Sequence, residues 1–197
     1  MKLRCKKMAV SNKIKYGLSN VYYAVITTTE GGEVTFGTPK RIPGAVSMSL
    51  AAQGETNKFY ADNIAYYVST SNDGYQGDLE IARVPDSFRT DVLAETLEAT
   101  DKVQVEYSNA ETKPFALLYQ FEGDQKASLR VLYNCSCARA SEEGSTKDNN
   151  KVPTTEKLTI TASPMTDGKV RAKTTEETPA ETLANWYKAV WVPKVEV

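Results

Sequence analysis

Histidine is absent from all 197 residues, which removes the commonest general base and every histidine-dependent triad. Cysteine is nearly absent too, with Cys5 far in sequence from Cys135 and Cys137. Two cysteines at positions i and i+2 of a strand share a face, and joining them would distort the backbone. Free thiols are therefore expected rather than a disulfide framework. A structural zinc site wants four Cys or His ligands, which this chain does not offer. Neither a dinucleotide-binding glycine fingerprint nor a P-loop occurs. Asp73-Gly74 and Asp167-Gly168 lack the alternating ligands of a calcium loop and read as turns. No metal or cofactor is expected.

Long apolar runs are missing as well. Tyr22–Ile26 and Phe115–Tyr119 are among the longest, against the roughly 20 residues that a membrane helix needs. Excess charge of one sign is also absent: 24 basic and 25 acidic side chains leave a net charge of −1, so no overall basic field exists to condense on nucleic acid or membrane. The N-terminal stretch is basic, with Lys2, Arg4, Lys6 and Lys7, but no apolar block follows to form a signal-peptide core. A cytoplasmic origin is the simplest expectation. Met8 is an alternative start, and residues 1–12 are read as a flexible N-terminal extension.

What is present is ordinary globular material, 41% hydrophobic and 25% charged, enough to fold as one domain over residues 13–197. The pattern is a succession of short β segments. Asn20–Thr29 is rich in Val, Tyr, Ile and Thr, and Glu30-Gly31-Gly32-Glu33 turns the chain into Val34–Phe36. In Ala45–Leu50 the apolar Val46, Met48 and Leu50 alternate with small residues, the period of a half-buried strand. Thr56–Ala61 and Ile64–Ser69 flank Asp62-Asn63, a pair that favours turns. From Tyr75 to Val84, Leu79 and Ile81 alternate with Asp78, Glu80 and Ala82, and further strands are expected at Val103–Tyr107, Phe115–Glu122, Leu129–Ala138, Leu158–Ala162 and Val170–Thr174.

Two helices are signposted. Asp86 is placed to cap the first, whose apolar side is Phe88, Val92 and Leu93. Thr178-Pro179-Ala180-Glu181 combines an N-cap, a proline at the first helical position and a capping-box acid, followed by Leu183, Trp186, Tyr187 and Val190 on one side. The fold class that results is mainly β with minor α, many short strands with two helices among them. Residues 141–151 are polar and charged throughout, cannot repay ordering by burial, and read as a mobile loop.

Asp78 and Glu80 could in principle divide acid and base roles as paired carboxylates do, but two acids on alternating strand positions ordinarily mark a solvated face. An enzyme is not expected. The eleven tyrosines include Tyr60, Tyr66, Tyr67 and Tyr75 within sixteen positions. Tyrosine serves half-buried strands and interfaces alike; taken alone, this cluster is read as core packing.

The ordered phrases say more. Tyr16-Gly17-Leu18-Ser19-Asn20-Val21, Ala24-Val25-Ile26-Thr27 and Ile42-Pro43-Gly44-Ala45-Val46 open the chain. Phe59-Tyr60-Ala61-Asp62-Asn63-Ile64-Ala65-Tyr66-Tyr67 then runs into Gly74-Tyr75-Gln76-Gly77-Asp78-Leu79-Glu80-Ile81 and Pro85-Asp86-Ser87-Phe88. Leu132-Tyr133-Asn134-Cys135, Leu158–Ala162 and Thr178–Glu181 with Trp186 follow in the same order. Together these phrases, spanning Lys13–Trp191, resemble the major tail proteins of long, non-contractile-tailed phages and prophages.

The resemblance implies a β-sandwich with one flanking helix and a C-terminal helix, a subunit that closes into six-membered rings, stacked into a tail tube through which DNA passes. It implies assembly in the host cytoplasm on a tape-measure protein, a tail terminator, and partners at the baseplate or tail tip. Asp78 and Glu80 become candidate lumen-facing residues. Tyr60, Asp62, Asn63, Tyr66 and Tyr67, with Ser145, Lys147 and Asp148 of the polar loop, become candidate contacts between subunits. A monomeric immunoglobulin-like binding or decoration module is the alternative that the strand pattern suits equally. A carboxylate hydrolase would need a concave pocket between two acids and ranks last.

Overall fold

The computed structural model describes residues 12–142, 144, 146 and 153–193. Residues 1–11 of the expected extension lie outside the described residues. Its last member, Asn12, is anchored: its side-chain carbonyl accepts from the amides of Gln125 and Lys126 at 3.0 and 2.9 Å, and its Nδ2 donates to the Lys126 carbonyl.

The fold begins with β1 (Lys15–Thr28), which turns through Glu30–Glu33 into β2 (Val34–Phe36) and then β3 (Lys40–Ile42). β2 and β3 pair successively with β1, as Ile26↔Phe36 and Val21↔Ile42. After Pro43-Gly44 the same extended stretch continues as β4 (Ala45–Gln53), but it has left β1 and pairs with β7 (Gly74–Ile81). This change of partner is a sandwich corner, where one strand passes from one layer to the other through a bend. Gly44 makes it possible, since it sits at φ 77° and a Cβ there would lie 2.8 Å from that of Ala82.

Between β4 and β7 lies a hairpin of β5 (Thr56–Ala61) and β6 (Ile64–Thr70). Then come α1 (Asp86–Asp91), the short ribbon β8 (Thr96–Leu97) with β9 (Gln104–Val105), and β10 (Phe115–Gly123) hairpinned to β11 (Ser128–Cys137). β12 (Glu156–Ala162), β13 (Arg171–Lys173) and α2 (Ala180–Asn185) complete the described elements. The large sheet is antiparallel in the order β2-β1-β10-β11-β12-β7-β4, with β3 beside β1 and β13 beside β11.

Alternation decides the two cores. Val21, Tyr23, Leu79, Ile81, Leu117 and Ile160 meet between the layers, where the Phe88 ring of α1 packs edge-on against Tyr23 and Phe115 at 4.9 and 5.4 Å. The opposite face of β1, β10 and β11 carries Ala24, Ala116, Leu118, Val131 and Tyr133, which the C-terminal segment covers with Trp186 and Val190. Tyr187 stacks on Tyr22 at 4.6 Å in the same contact. Cys135 and Cys137 are free and buried in the first core, and burial pushes the Cys137 thiol up to about 12 and the Cys135 thiol up as well.

Three local expectations are corrected. Val46 does not share a face with Met48 and Leu50: a bulge between Ala45 and Ser47 turns it to solvent, and Ala45 packs inward instead. Asp86 caps nothing; Pro85 occupies the N-cap of α1, and Asp86 pairs with Arg83 at 3.3 Å. Pro179, likewise, is the N-cap of α2 rather than its first residue, and the Thr178 hydroxyl accepts from the Thr175 amide instead of capping the helix.

Candidate functional site

The two layers differ on their outer sides. Beneath α2 the β1-β10-β11 layer is apolar and covered, whereas the outward positions of β4, β7 and β12 are polar and bare. They form rows across three strands: Ser47, Glu80 and Lys157; then Ser49, Asp78 and Thr159; then Ala51, Gln76 and Thr161. The registers place Asp78 and Glu80 at the centre of this face, each flanked by hydroxyls. Thr155 Oγ1 donates to Glu80 Oε1 at 2.6 Å, Ser47 Oγ to Glu80 Oε2 at 2.8 Å, and Thr159 Oγ1 to Asp78 Oδ1 at 2.8 Å.

These bonds fix the charge state. The Thr155 and Ser47 hydroxyls, in that order, hold the Glu80 carboxyl below the usual carboxylate range, and the nearby Lys157 ammonium adds to the effect. Glu80 is thus kept ionised, and separate hydroxyl donors satisfy each of the two acids. That is the chemistry of a fixed negative surface rather than of an acid–base pair. The hydroxyl partners Ser47, Thr155 and Thr159 escaped sequence reasoning because they arrive from β4, from the residue before β12 and from β12.

The second feature is the β5–β6 hairpin. It continues the β4–β7 ladder outward: Asp73 donates to the Gln53 carbonyl at 3.0 Å, and Ser71 donates to that of Glu55 at 2.9 Å. At its tip Asp62 and Asn63 take φ of 51° and 60°, the left-handed pair of a tight two-residue hairpin turn. Both residues are accounted for by that turn. Six residues at about 3.3 Å each make the arm roughly 20 Å long.

Nothing among the described residues covers it. Phe59, Tyr66 and Tyr67 are 63%, 72% and 64% exposed, and Tyr60, Ile64 and Val68 are exposed alongside them. The reading of this tyrosine cluster as core is overturned, with only Tyr75, at the arm's root, half-buried against the core. Tyr60, Asp62, Asn63, Tyr66 and Tyr67 are thus brought together on one projecting ribbon. Ser145, Lys147 and Asp148 lie outside the described residues. Phe59, Ile64 and Val68 join the patch although the sequence alone did not single them out.

Among the described residues no group of three or more acidic or Cys side chains converges as a metal site, and no helix is long and apolar enough to cross a membrane. A sandwich with one bare polar sheet face and an uncovered aromatic arm defines an assembly subunit, since apolar patches of this kind mark surfaces that are buried in a complex. The phage tail tube protein family matches residues 5–189, and the chain belongs to it. It is a structural protein of the virion tail, in a family that assembles with itself and with other tail proteins. Comparison with curated proteins finds no match.

Proposed function

We propose that the chain, as one domain from residue 13 onward, closes into six-membered rings that stack into a tube conducting DNA. The observation that carries this reading is the arm. An isolated two-stranded ribbon is marginal in water, and one bearing six large exposed apolar side chains is stable only when a partner covers it. The free edge of β4 at the end of the sheet order offers a second adhesive surface, because an open edge pairs readily with another strand. A monomeric binding module would use an exposed aromatic arm but would have no use for the open edge of β4.

The bare face of β4, β7 and β12 is the lumen wall in this reading. Asp78 and Glu80, repeated around a ring, repel phosphate and keep DNA sliding rather than bound. The protein does no catalysis; it is assembled in the host cytoplasm with a tape-measure protein, a terminator and tail-tip or baseplate partners. Residues 141–151, with Ser145, Lys147 and Asp148, serve contacts between rings.

Negative-stain electron microscopy with light scattering, on chain starting at Met8 and concentrated across a salt series, tests the assembly. Hollow rings or tubes of uniform width are expected. Monomers that persist even when seeded with isolated tail tips would overturn it. Asp78→Lys with Glu80→Lys is expected to leave tubes intact and impair DNA ejection; normal ejection through such tubes would remove these residues from the lumen.

A further inference from the structure

At the root of the arm the two layers of the sandwich part, and the mouth between them is lined by cations lying on aromatic rings. Lys15 and Arg130 sit over the Phe121 ring at 4.8 and 5.0 Å from its centroid, and Arg171 lies over Tyr75 at 4.8 Å. Met48, Leu50 and Tyr119 line the space between. This cleft, of about 100 Å³, adjoins a wider one of about 500 Å³ through the shared Lys15 and Arg130. The wider one adds Lys13, Lys126 and Lys173 against only Glu122 and Glu176.

Among the described residues Lys15, Arg130 and Arg171 take part in no ion pair, and the buried Arg130 Nε–H has no hydrogen-bond partner. A surface that presents cations, half-buried rings and an apolar floor fits a ligand that is both aromatic and acidic.

Resting on the assembly reading above, we propose that the mouth receives the β5–β6 arm of a second copy of this chain. The arm has the complementary composition. Its exposed rings supply faces for the mouth's cations, and Asp62, the one carboxylate between Thr56 and Thr70, sits at its tip, with the single Lys58 set back along β5. Its length of about 20 Å suffices to cross from one subunit into the next. Donor and acceptor are different surfaces, so the contact is heterologous and propagates: each subunit gives an arm and accepts one, as ring closure or stacking requires. An arm seated in this way also covers the rings that are otherwise in water.

Cross-linking in assembled material tests the pairing. Two variants are prepared in a Cys5→Ser background, Ile64→Cys at the arm and Lys15→Cys at the mouth, co-assembled, and treated with a short bis-maleimide. Cys135 and Cys137 are buried and do not compete. Covalent dimers are expected from the mixture and not from either variant alone. Arg171→Cys serves as a second acceptor position should Lys15→Cys lower assembly.

Tubes that form but give no Ile64-to-mouth product with either acceptor overturn the inference while leaving the tube reading intact. Dimers from Ile64→Cys alone show arm meeting arm and also overturn it. So does a mouth cysteine that links to a different polypeptide. Failure of every form, including the native chain, to assemble on tail-tip seeds overturns the tube reading and the inference with it.

Discussion

Replacing Tyr66 with serine separates assembly from folding more cleanly than any other single change. Tyr66 is 72% exposed and lies on a ribbon that no other described element covers, so the isolated subunit loses almost nothing with its ring. A tyrosine buries up to about 200 Å², of which about 140 Å² is here left for a partner to cover. At about 25 cal/mol per Å² that area has an upper value of about 3.5 kcal/mol. Incomplete cover and the ordering of the side chain reduce it to about 2 kcal/mol, or about a 30-fold weakening of each contact.

The assay has two arms. Thermal unfolding of the dispersed subunit should be unchanged, since surface substitutions away from packed features stay within about 0.5 kcal/mol. The critical concentration for tube formation, read by sedimentation or light scattering, should rise by about 30-fold. An unchanged critical concentration with normal tubes would refute the assignment of the arm to an interface. A marked loss of thermal stability in the monomer would refute the claim that the ring is uncovered before assembly.

Arg89, only 18% exposed, bridges Glu95 at 3.4 Å and Glu156 at 3.2 Å, and Glu95 is 7% exposed. Arg89→Met leaves those carboxylates without their counter-charge and should cost about 3 kcal/mol in denaturant unfolding, whereas a cost near zero would show the cluster to be dispensable. Thr155→Val removes the principal donor to Glu80 and should move its carboxyl titration upward by NMR; an unmoved titration would discount the hydrogen bond. Because the folded value lies below the unfolded one, the stabilisation from Glu80 is present above the unfolded pKa and is lost as pH falls through the folded one. Gly77→Ala drives a Cβ into the Ser49 carbonyl, so β4 must separate from β7 at a cost of at least about 2 kcal/mol; a wild-type melting temperature would mean that the pair yields freely.

Much of this protein was legible locally. Alternation located β7 and β12, because a strand with one face buried must write that face into every second residue, while richness in β-branched and aromatic residues marked β1, and β10 reads as an apolar run because both its faces are buried. Asp62-Asn63 announced the arm's turn, since those residue types tolerate positive φ. The apolar side of α2 and the outward setting of Asp78 and Glu80 were equally readable, as was the family from its ordered phrases. The helix caps were not, because Asp86 and Thr178 had partners outside their helices and were drawn to them.

Sequence by itself therefore determined the β-sandwich class, the positions of its turns, the absence of histidine chemistry and membership of the tail tube family. Tertiary structure alone decided which aromatic strands are covered. β6 and β10 are both rich in aromatic and aliphatic side chains, yet β10 is sealed between a helix and a second layer while β6 stands in water. Burial depends on what lies opposite a strand, and that is set by distant segments of chain. The mouth was hidden for the same reason: Lys15, Tyr75, Phe121, Arg130 and Arg171 come from five strands and become one surface only when the sheet folds over.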